Sequence, residues 1–302
     1  MSRGRAFFVA EDQDAIFELD PTCGTPVRKL SAHLGGFSGS SNPQGVGVTS
    51  DGSLWIPLYS IPRLLVLAPD GGASHSIDLS SYDVQGNPLA MGIALADLDA
   101  GEKAFVPLQR LNNQTYAADQ PSWMLRVDVA DASAEEYVVL AGRNPFSISQ
   151  QGNDLWLADP GNWDADTEPF GGVEHFDMST STTALVVHEA DLGGSVAEVV
   201  VSGDCGVAIV ADATAVNATS LVTFNASSGA PILPASRSPL ATGGYDLWGL
   251  AWVNAALLVG DRRRATDGYP VHVFDVSGDC ILSERPDTIF LPLPPVAVRT
   301  PG

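Results

Sequence analysis

Lysine is almost missing from this chain: Lys29 and Lys103 are the only two. With 15 basic residues against 36 acidic ones, the formal net charge is −21. A surface of that sign repels phosphate backbones and anionic lipid, which argues against nucleic acid and acidic membranes as partners. Cysteine is scarce as well, with three in 302 residues. Cys23, Cys205 and Cys280 stand in turn-like contexts whose spacing fits no zinc or redox motif. One disulfide plus a thiol, or three thiols, both remain open. No apolar run reaches the ~18–20 residues of a membrane span. The N-terminus enters a strand-like segment without the apolar core of a signal peptide, although a chain trimmed of one would read the same. Extended helical periodicity is absent. So are a nucleophile elbow, a phosphate-binding loop and a His-Glu-x-x-His zinc motif.

What is plentiful is turn chemistry: 30 glycines and 21 prolines, spread along the whole length between short apolar runs. This is the grammar of an all-β chain, and it repeats. Residues 42–57 read as a short strand, an Asp51-Gly52 hairpin turn and a second strand carrying Trp55. A third strand at 64–67 ends in the Asp70-Gly71 turn, and a fourth covers 74–79. Asn87-Pro88 and Asn144-Pro145 open further units with second strands at 103–108 and 154–158 and third strands at 124–129 and 173–177. A fifth unit starts near Val196, with strands at 206–211 and 220–224. The sixth has strands at 247–252, 256–260 and 271–275. Third strands end in Asp20, Asp128, Asp177, Asn225 and Asp275, residues that bond the backbone two positions on and start a hairpin. Trp55 and Trp156 hold matching second-strand places and read as packing between repeats.

The N-terminal unit supplies strands at 6–10, 15–19 and 26–30 but no first strand, while a spare strand lies at Val296–Arg299. The expectation is one domain over residues 1–302, a six-bladed β-propeller of four-stranded antiparallel blades, with the C-terminal strand completing the N-terminal blade. In that meander the loops after second strands share one face with the connections between blades. The long loops 109–122 and 159–172, and the shorter 212–219 and 261–270, all fall there, where ligand sites concentrate.

Pro43-Gln-Gly-Val-Gly-Val-Thr-Ser-Asp-Gly-Ser-Leu-Trp-Ile56 resembles the repeat of the NHL and SMP-30 (gluconolactonase)-like six-bladed propellers. Weaker echoes stand at Met91–Ala94, Asp154–Trp156 and Trp248–Ala251. The gluconolactonase-like resemblance implies a divalent metal held by Glu, Asn and Asp at the starts of innermost strands. Those places here are Gln44, Leu89, Phe146, Ala197 or Glu198, Asp246 and Pro295, so only Asp246, Glu198 and Gln44 could ligate. Virginiamycin B lyase-like propellers share the rhythm and need a loop-face histidine. None of His33, His75, His175, His188 and His272 lies in a long loop.

Three features remain as candidate sites. Asp164, Asp166 and Glu168 alternate like the first ligands of a calcium loop, without the glycine and late glutamate of an EF-hand. Trp163, inside that loop beside Asn162, is an aromatic with no packing role evident in the pattern and is suited to stacking on a sugar or a partner side chain. Arg262, in the one basic cluster, could clamp a carboxylate or phosphate. The expected function is that of an exported, secreted or cell-envelope, monomeric binding module. It would take a protein, small molecule or sugar on the long-loop face and hold calcium or another divalent metal. The alternative is a metal-dependent lactonase, hydrolase or lyase.

Overall fold

The computed structural model describes residues 4–22, 24–72, 74–163, 169–212 and 218–295. Six antiparallel sheets follow one another along the chain, the blades of the six-bladed β-propeller that the repeat predicts. The chain divides into two compact units, one of Met1–Leu140 with Asp177–Thr182, the other of Ala141–Phe176 with Thr183–Thr300. Each is described in turn.

In the first unit, the first sheet pairs Ala6–Ala10, Ala15–Leu19 and Pro26–Ser31. The strand expected to complete it, at Val296–Arg299, lies outside the described residues. The second sheet runs Gly47–Val48, Leu54–Leu58, Arg63–Leu67 and Ser74–Asp78. The third runs Ala94–Leu98, Gly101–Leu108, Trp123–Asp128 and Ser133–Val139. Residues Leu54 to Leu58 are all buried, because both faces of the second sheet are covered and the strand needs no polar side. Leu54 and Ile56 pack with Ile16 and Leu30 of the first sheet. Trp55 points the other way, onto Leu95, Ala104 and Val106 of the third, the packing role its repeat position implies.

The second unit holds the fourth sheet, Ser147–Gln151, Asp154–Asp159, Gly172–Asp177 and Thr182–His188, whose last hairpin groups with the first unit. The fifth sheet has Ser195–Ser202, Cys205–Asp212, Ala218–Asn225 and Pro231–Leu233. The sixth has Leu247–Val253, Ala256–Asp261, Tyr269–Val276 and Leu282–Glu284. A fifth strand, Ile289–Leu291, also pairs with Tyr269–Val276, which the repeat does not foretell. Trp156 packs with Val199, Val201 and Val210 of the fifth sheet, and Val207 and Ile209 pack with Leu250, Leu257 and Phe274 of the sixth.

Turn chemistry explains the hairpins. At Asp51-Gly52 the glycine takes φ 87°, a conformation costly for other residues, while Asp51 Oδ1 accepts from the Ser53 N–H (2.9 Å) and the Thr49 hydroxyl (2.6 Å). Asp20, Asp128 and Asp177 accept the N–H two residues on, and Asn225 reaches three on to Ser228. Asp275 departs from the pattern: its carboxylate takes the Arg285 guanidinium instead (2.8 Å), and Ser277 closes the turn by donating its N–H to the Ile281 carbonyl (3.0 Å).

One backbone staple recurs in four sheets. The chain leaving the second strand donates an N–H to the carbonyl of the segment entering the first strand. The pairs are Tyr59 to Asn42 (2.9 Å), Arg110 to Pro88 (2.9 Å), Gly161 to Arg143 (3.1 Å) and Arg262 to Asp246 (2.9 Å). Within each sheet these staples bring the loop and the strand entry to the same end, as the meander requires.

Cys205 and Cys280 form a disulfide across 75 residues, with Cα atoms 5.3 Å apart. It ties the first hairpin of the fifth sheet to the last turn of the sixth, both in the second unit. Closing a loop of that length removes about 4.5 kcal/mol of unfolded-chain entropy.

Candidate functional site

The staples of the second unit place four aromatic rings together. Asn144, at φ 62°, donates its side-chain N–H to the Gly161 carbonyl (2.8 Å), so the loop after Asp159 folds back over the entry to its own sheet. Phe146 stands at that entry. Trp163 follows in a turn, its N–H donated to the Pro160 carbonyl (2.8 Å), with φ at 61°. A left-handed backbone costs a bulky residue roughly 1–2 kcal/mol, so the position of this ring is maintained against strain. Tyr245 and Trp248 come from the entry of the sixth sheet.

The rings make a closed circuit. Phe146 meets Trp163 at 5.2 Å and 85°, and Trp163 meets Tyr245 at 6.1 Å and 73°. Tyr245 meets Trp248 at 5.2 Å and 61°, and Trp248 returns to Phe146 at 6.1 Å and 87°. All four side chains are half-buried rather than enclosed. The Arg262 guanidinium lies 5.8 Å from the Trp248 ring, exposed. Among the described residues it has no hydrogen-bond or ion-pair partner.

Charge around the circuit is ordered. Glu198 is buried and accepts from the Gly249 N–H at 2.6 Å. Burial first, and then the Glu198 charge, push the Tyr245 phenol up, so the hydroxyl stays protonated and can donate. Next to Arg262, Arg263 is committed to Asp261 at 2.7 Å. Burial pushes Asp261 up, but hydrogen bonds from His272 and Arg263 outweigh it and hold this carboxyl far below the usual range. His272, between Asp261 (3.3 Å) and Glu284 (2.6 Å), is raised by those same partners.

A second polar cluster sits at the base of the 160–171 loop. Asp159, Glu174 and Glu189 are all buried to 0% exposure. Glu174 accepts from the Ala141 and Gly142 N–H groups (3.0 and 2.7 Å) and from the Thr183 hydroxyl. Only glycine fits at two flanking positions: a side chain at Gly142 would run into the Asp159 carboxyl, and one at Gly171 into Glu189. Burial, then the neighbouring Glu174 and Glu189, push Asp159 well up; burial also raises Glu174. Burial beside two other carboxyls therefore favours the protonated form of Asp159.

Of the residues singled out by sequence, Trp163 and Arg262 fall in one arrangement, both in contact with rings of the circuit, while Asn162 is exposed beside Trp163. Asp164, Asp166 and Glu168 lie outside the described residues. Glu198 and Asp246 belong to the second unit. Gln44 belongs to the first, where its amide donates to Asn42 Oδ1 (2.7 Å). Glu198 already serves a backbone N–H, and among the described residues no group of three His, Cys, Asp or Glu side chains is placed to hold a metal. These donors do not fit the metal that the gluconolactonase-like resemblance implies. Sequence reasoning missed Phe146, Tyr245 and Trp248, although it marked Phe146 and Asp246 as strand entries; aromatic residues at or beside two such entries were the available signal. For Asp159 and Glu174 the signal was an acidic residue inside a buried strand or at its end, whereas Glu189 opens the short helix Glu189–Leu192 and carried none.

No family model matches the chain, and no curated protein matches it in sequence. Solved structures do resemble it in fold. Hydrazine synthase from Kuenenia stuttgartiensis superposes with a TM-score of 0.66 at 13% identity, covering 99% of this chain and 86% of that one. A streptogramin B lyase gives 0.57 at 11% identity, covering 99% and 84%. A chain of a nidogen/laminin complex gives 0.55 at 15% identity, covering 98% and 97%. At these identities the likeness defines the class, six-bladed β-propeller, and nothing finer.

Proposed function

We propose that this chain is an exported, non-enzymatic propeller that binds a ligand on the loop end of its second unit. The site comprises Trp163 and Arg262 with Phe146, Tyr245 and Trp248. The observation that carries this reading is the half-buried ring circuit beside an arginine whose guanidinium has no hydrogen-bond or ion-pair partner among the described residues. A cluster made only for packing would be enclosed, and a surface arginine in so acidic a chain would find a carboxylate. The Cys205–Cys280 disulfide supports export, because such bonds persist in oxidising compartments. Calcium belongs to the same proposal through Asp164, Asp166 and Glu168, and elemental analysis after dialysis without chelator tests it: about one equivalent supports it, none removes it.

Binding is tested with a panel of neutral and acidic oligosaccharides, carboxylates and organic ammonium ions, titrated into the chain while tryptophan emission is followed. The expected result is saturable binding that the variant Trp163→Ala loses without lowering the melting temperature much. Binding that survives in that variant would overturn the proposal.

A further inference from the structure

The three buried acids of the second unit hold the two chain segments that carry Phe146 and Trp163, and their part in regulating that site rests on the binding role proposed above. Gly142 donates its N–H to Glu174 (2.7 Å) and leaves no room for a side chain between itself and the Asp159 carboxyl. Four residues on, the same segment reaches Phe146. Asp159 in turn leads through Pro160, Gly161 and Asn162 to Trp163. The two segments are joined next to the acids: Gly161 donates to the Arg143 carbonyl (3.1 Å), and the Asn144 side chain donates to the Gly161 carbonyl (2.8 Å). Whatever displaces Gly142 or Asp159 therefore displaces the backbone from which both rings project.

Hydrogen bonds are shared unevenly among the acids. Glu174 accepts from Ala141, Gly142 and the Thr183 hydroxyl. Asp159 is buried to 0% exposure, yet among the described residues no N–H and no hydroxyl donates to either of its oxygens. The charges that face it are Glu174, from the strand Gly172–Asp177, and Glu189, from the helix Glu189–Leu192; both oppose its ionisation. Cations on the adjoining segments are placed elsewhere. Arg143 lies on the Phe170 ring (3.9 Å), His175 pairs with Asp154 (2.7 Å), and His188 is exposed. A neutral Asp159 fits this place. An ionised one has neither donor nor counter-charge there and would find donors in water, so its charge favours opening.

We infer that Asp159, Glu174 and Glu189 form a proton-operated latch on the ligand site. With Asp159 protonated, segments 141–146 and 159–163 stay packed together; with Asp159 ionised, water enters and the segments part. The sign follows from the closed state binding its proton more tightly than an open carboxyl, which titrates near ~4. Closure is fully favoured below that range and is lost as the pH rises through the raised closed value. The site is assembled in acid and loosened toward alkali.

The test is hydrogen exchange of the full, disulfide-intact chain without ligand, at about pH 5 and about pH 8, with protection taken relative to the free-peptide rate at each pH. Protection of 141–146 and 159–163 should fall at least about tenfold from the lower pH to the higher, the factor that one unit of displaced titration supplies, while Cys205–Asp212 in the same unit changes less than about threefold. Asp159→Asn cannot ionise and should remove most of that fall. Glu189→Gln takes away one opposing charge and should reduce it, and this variant carries the comparison if Asp159→Asn does not fold. Equal protection of the two segments at both pH values in the wild type would overturn the latch. So would a fall that Asp159→Asn retains in full, or one shared equally by Cys205–Asp212. Because no ligand is present, the two proposals fail separately: a pH-dependent latch in a chain that binds none of the oligosaccharides, carboxylates or ammonium ions keeps the latch and removes the binding role.

Discussion

Each unit contains an arginine laid against a tryptophan, and the two pairs are built for different ends. In the first unit Arg110 is 6% exposed, with its guanidinium 3.5 Å from the Trp123 ring, which itself stacks on Tyr137 at 3.9 Å. Every side of it is used. It donates to the carbonyls of Tyr82 (3.0 Å) and Pro121 (2.7 Å) and to Gln120 Oε1 (3.1 Å), and it faces the buried Asp83 at 3.7 Å. That arginine holds the 109–122 loop shut. In the second unit Arg262 lies farther from its ring, at 5.8 Å, exposed and with no hydrogen-bond or ion-pair partner for its guanidinium among the described residues. The same pair of residue types serves architecture when the charge is buried and saturated, and is proposed to serve recognition where the guanidinium faces water.

Mutation sharpens the contrast. Arg110→Ala leaves two carbonyls and the Asp83 carboxylate without their partner in a buried place, so it should lower unfolding free energy by about 3–5 kcal/mol. Arg262→Ala should change it by no more than about 0.5 kcal/mol. Equilibrium denaturation of both variants checks this, and equal losses would erase the distinction drawn between the pairs.

The disulfide offers the next effect in size. It is confined to the second unit, so Cys280→Ser should cost about 2–5 kcal/mol. Hydrogen exchange should place the loosening in the fifth and sixth sheets and spare strands such as Leu54–Leu58 in the first unit. Uniform loosening of both units would show that the stabilisation by the disulfide is not confined to the second unit.

A smaller, pH-dependent effect belongs to the buried acids of the second unit. Folded Asp159 and Glu174 hold protons at pH values where the unfolded chain, with carboxyls near ~4, has released them. Their contribution to stability is therefore fully present below the unfolded carboxylate range and is lost as the pH rises from that range through the raised folded values. Asp159→Asn keeps the shape without the titration. It should raise stability by about 1–3 kcal/mol at pH 8 and much less at pH 4. The difference between wild type and variant is the quantity to follow, because Asp261 and Glu18, held low by their hydrogen bonds and ion pairs, lose stability in the opposite direction as pH falls. A difference independent of pH would show that Asp159 is ionised in the fold.

How much of this could be read from the chain follows from the range of the forces involved. Strand positions were legible because hairpins are local: Asp51-Gly52 and the third-strand acids act within three residues. The exception, Asp275, fails for a tertiary reason, an arginine ten residues away that takes its carboxylate. The ring circuit was only half legible. Trp163 stood out because its loop gave no strand pattern to absorb it, whereas Phe146, Tyr245 and Trp248 sit at strand entries where an aromatic reads as core. Pairings across 75 or 85 residues, Cys205 with Cys280 and Trp163 with Trp248 on one circuit, follow from the stacking of sheets and leave no local mark.

On the proposed binding role the four rings are kept for a ligand and not for stability, which denaturant unfolding can decide. Denaturant unfolding of Trp163→Ala should be run beside Trp55→Ala, whose ring is 2% exposed between two sheets of the first unit. Loss of a core tryptophan should cost about 3–5 kcal/mol. Loss of the half-buried Trp163, which makes two edge-to-face contacts worth about 0.5–1.5 kcal/mol each and packs against the rim of the second unit's core, should cost less, about 1–3 kcal/mol. If Trp163→Ala proves as destabilising as Trp55→Ala, the circuit is core and the account of this site is wrong.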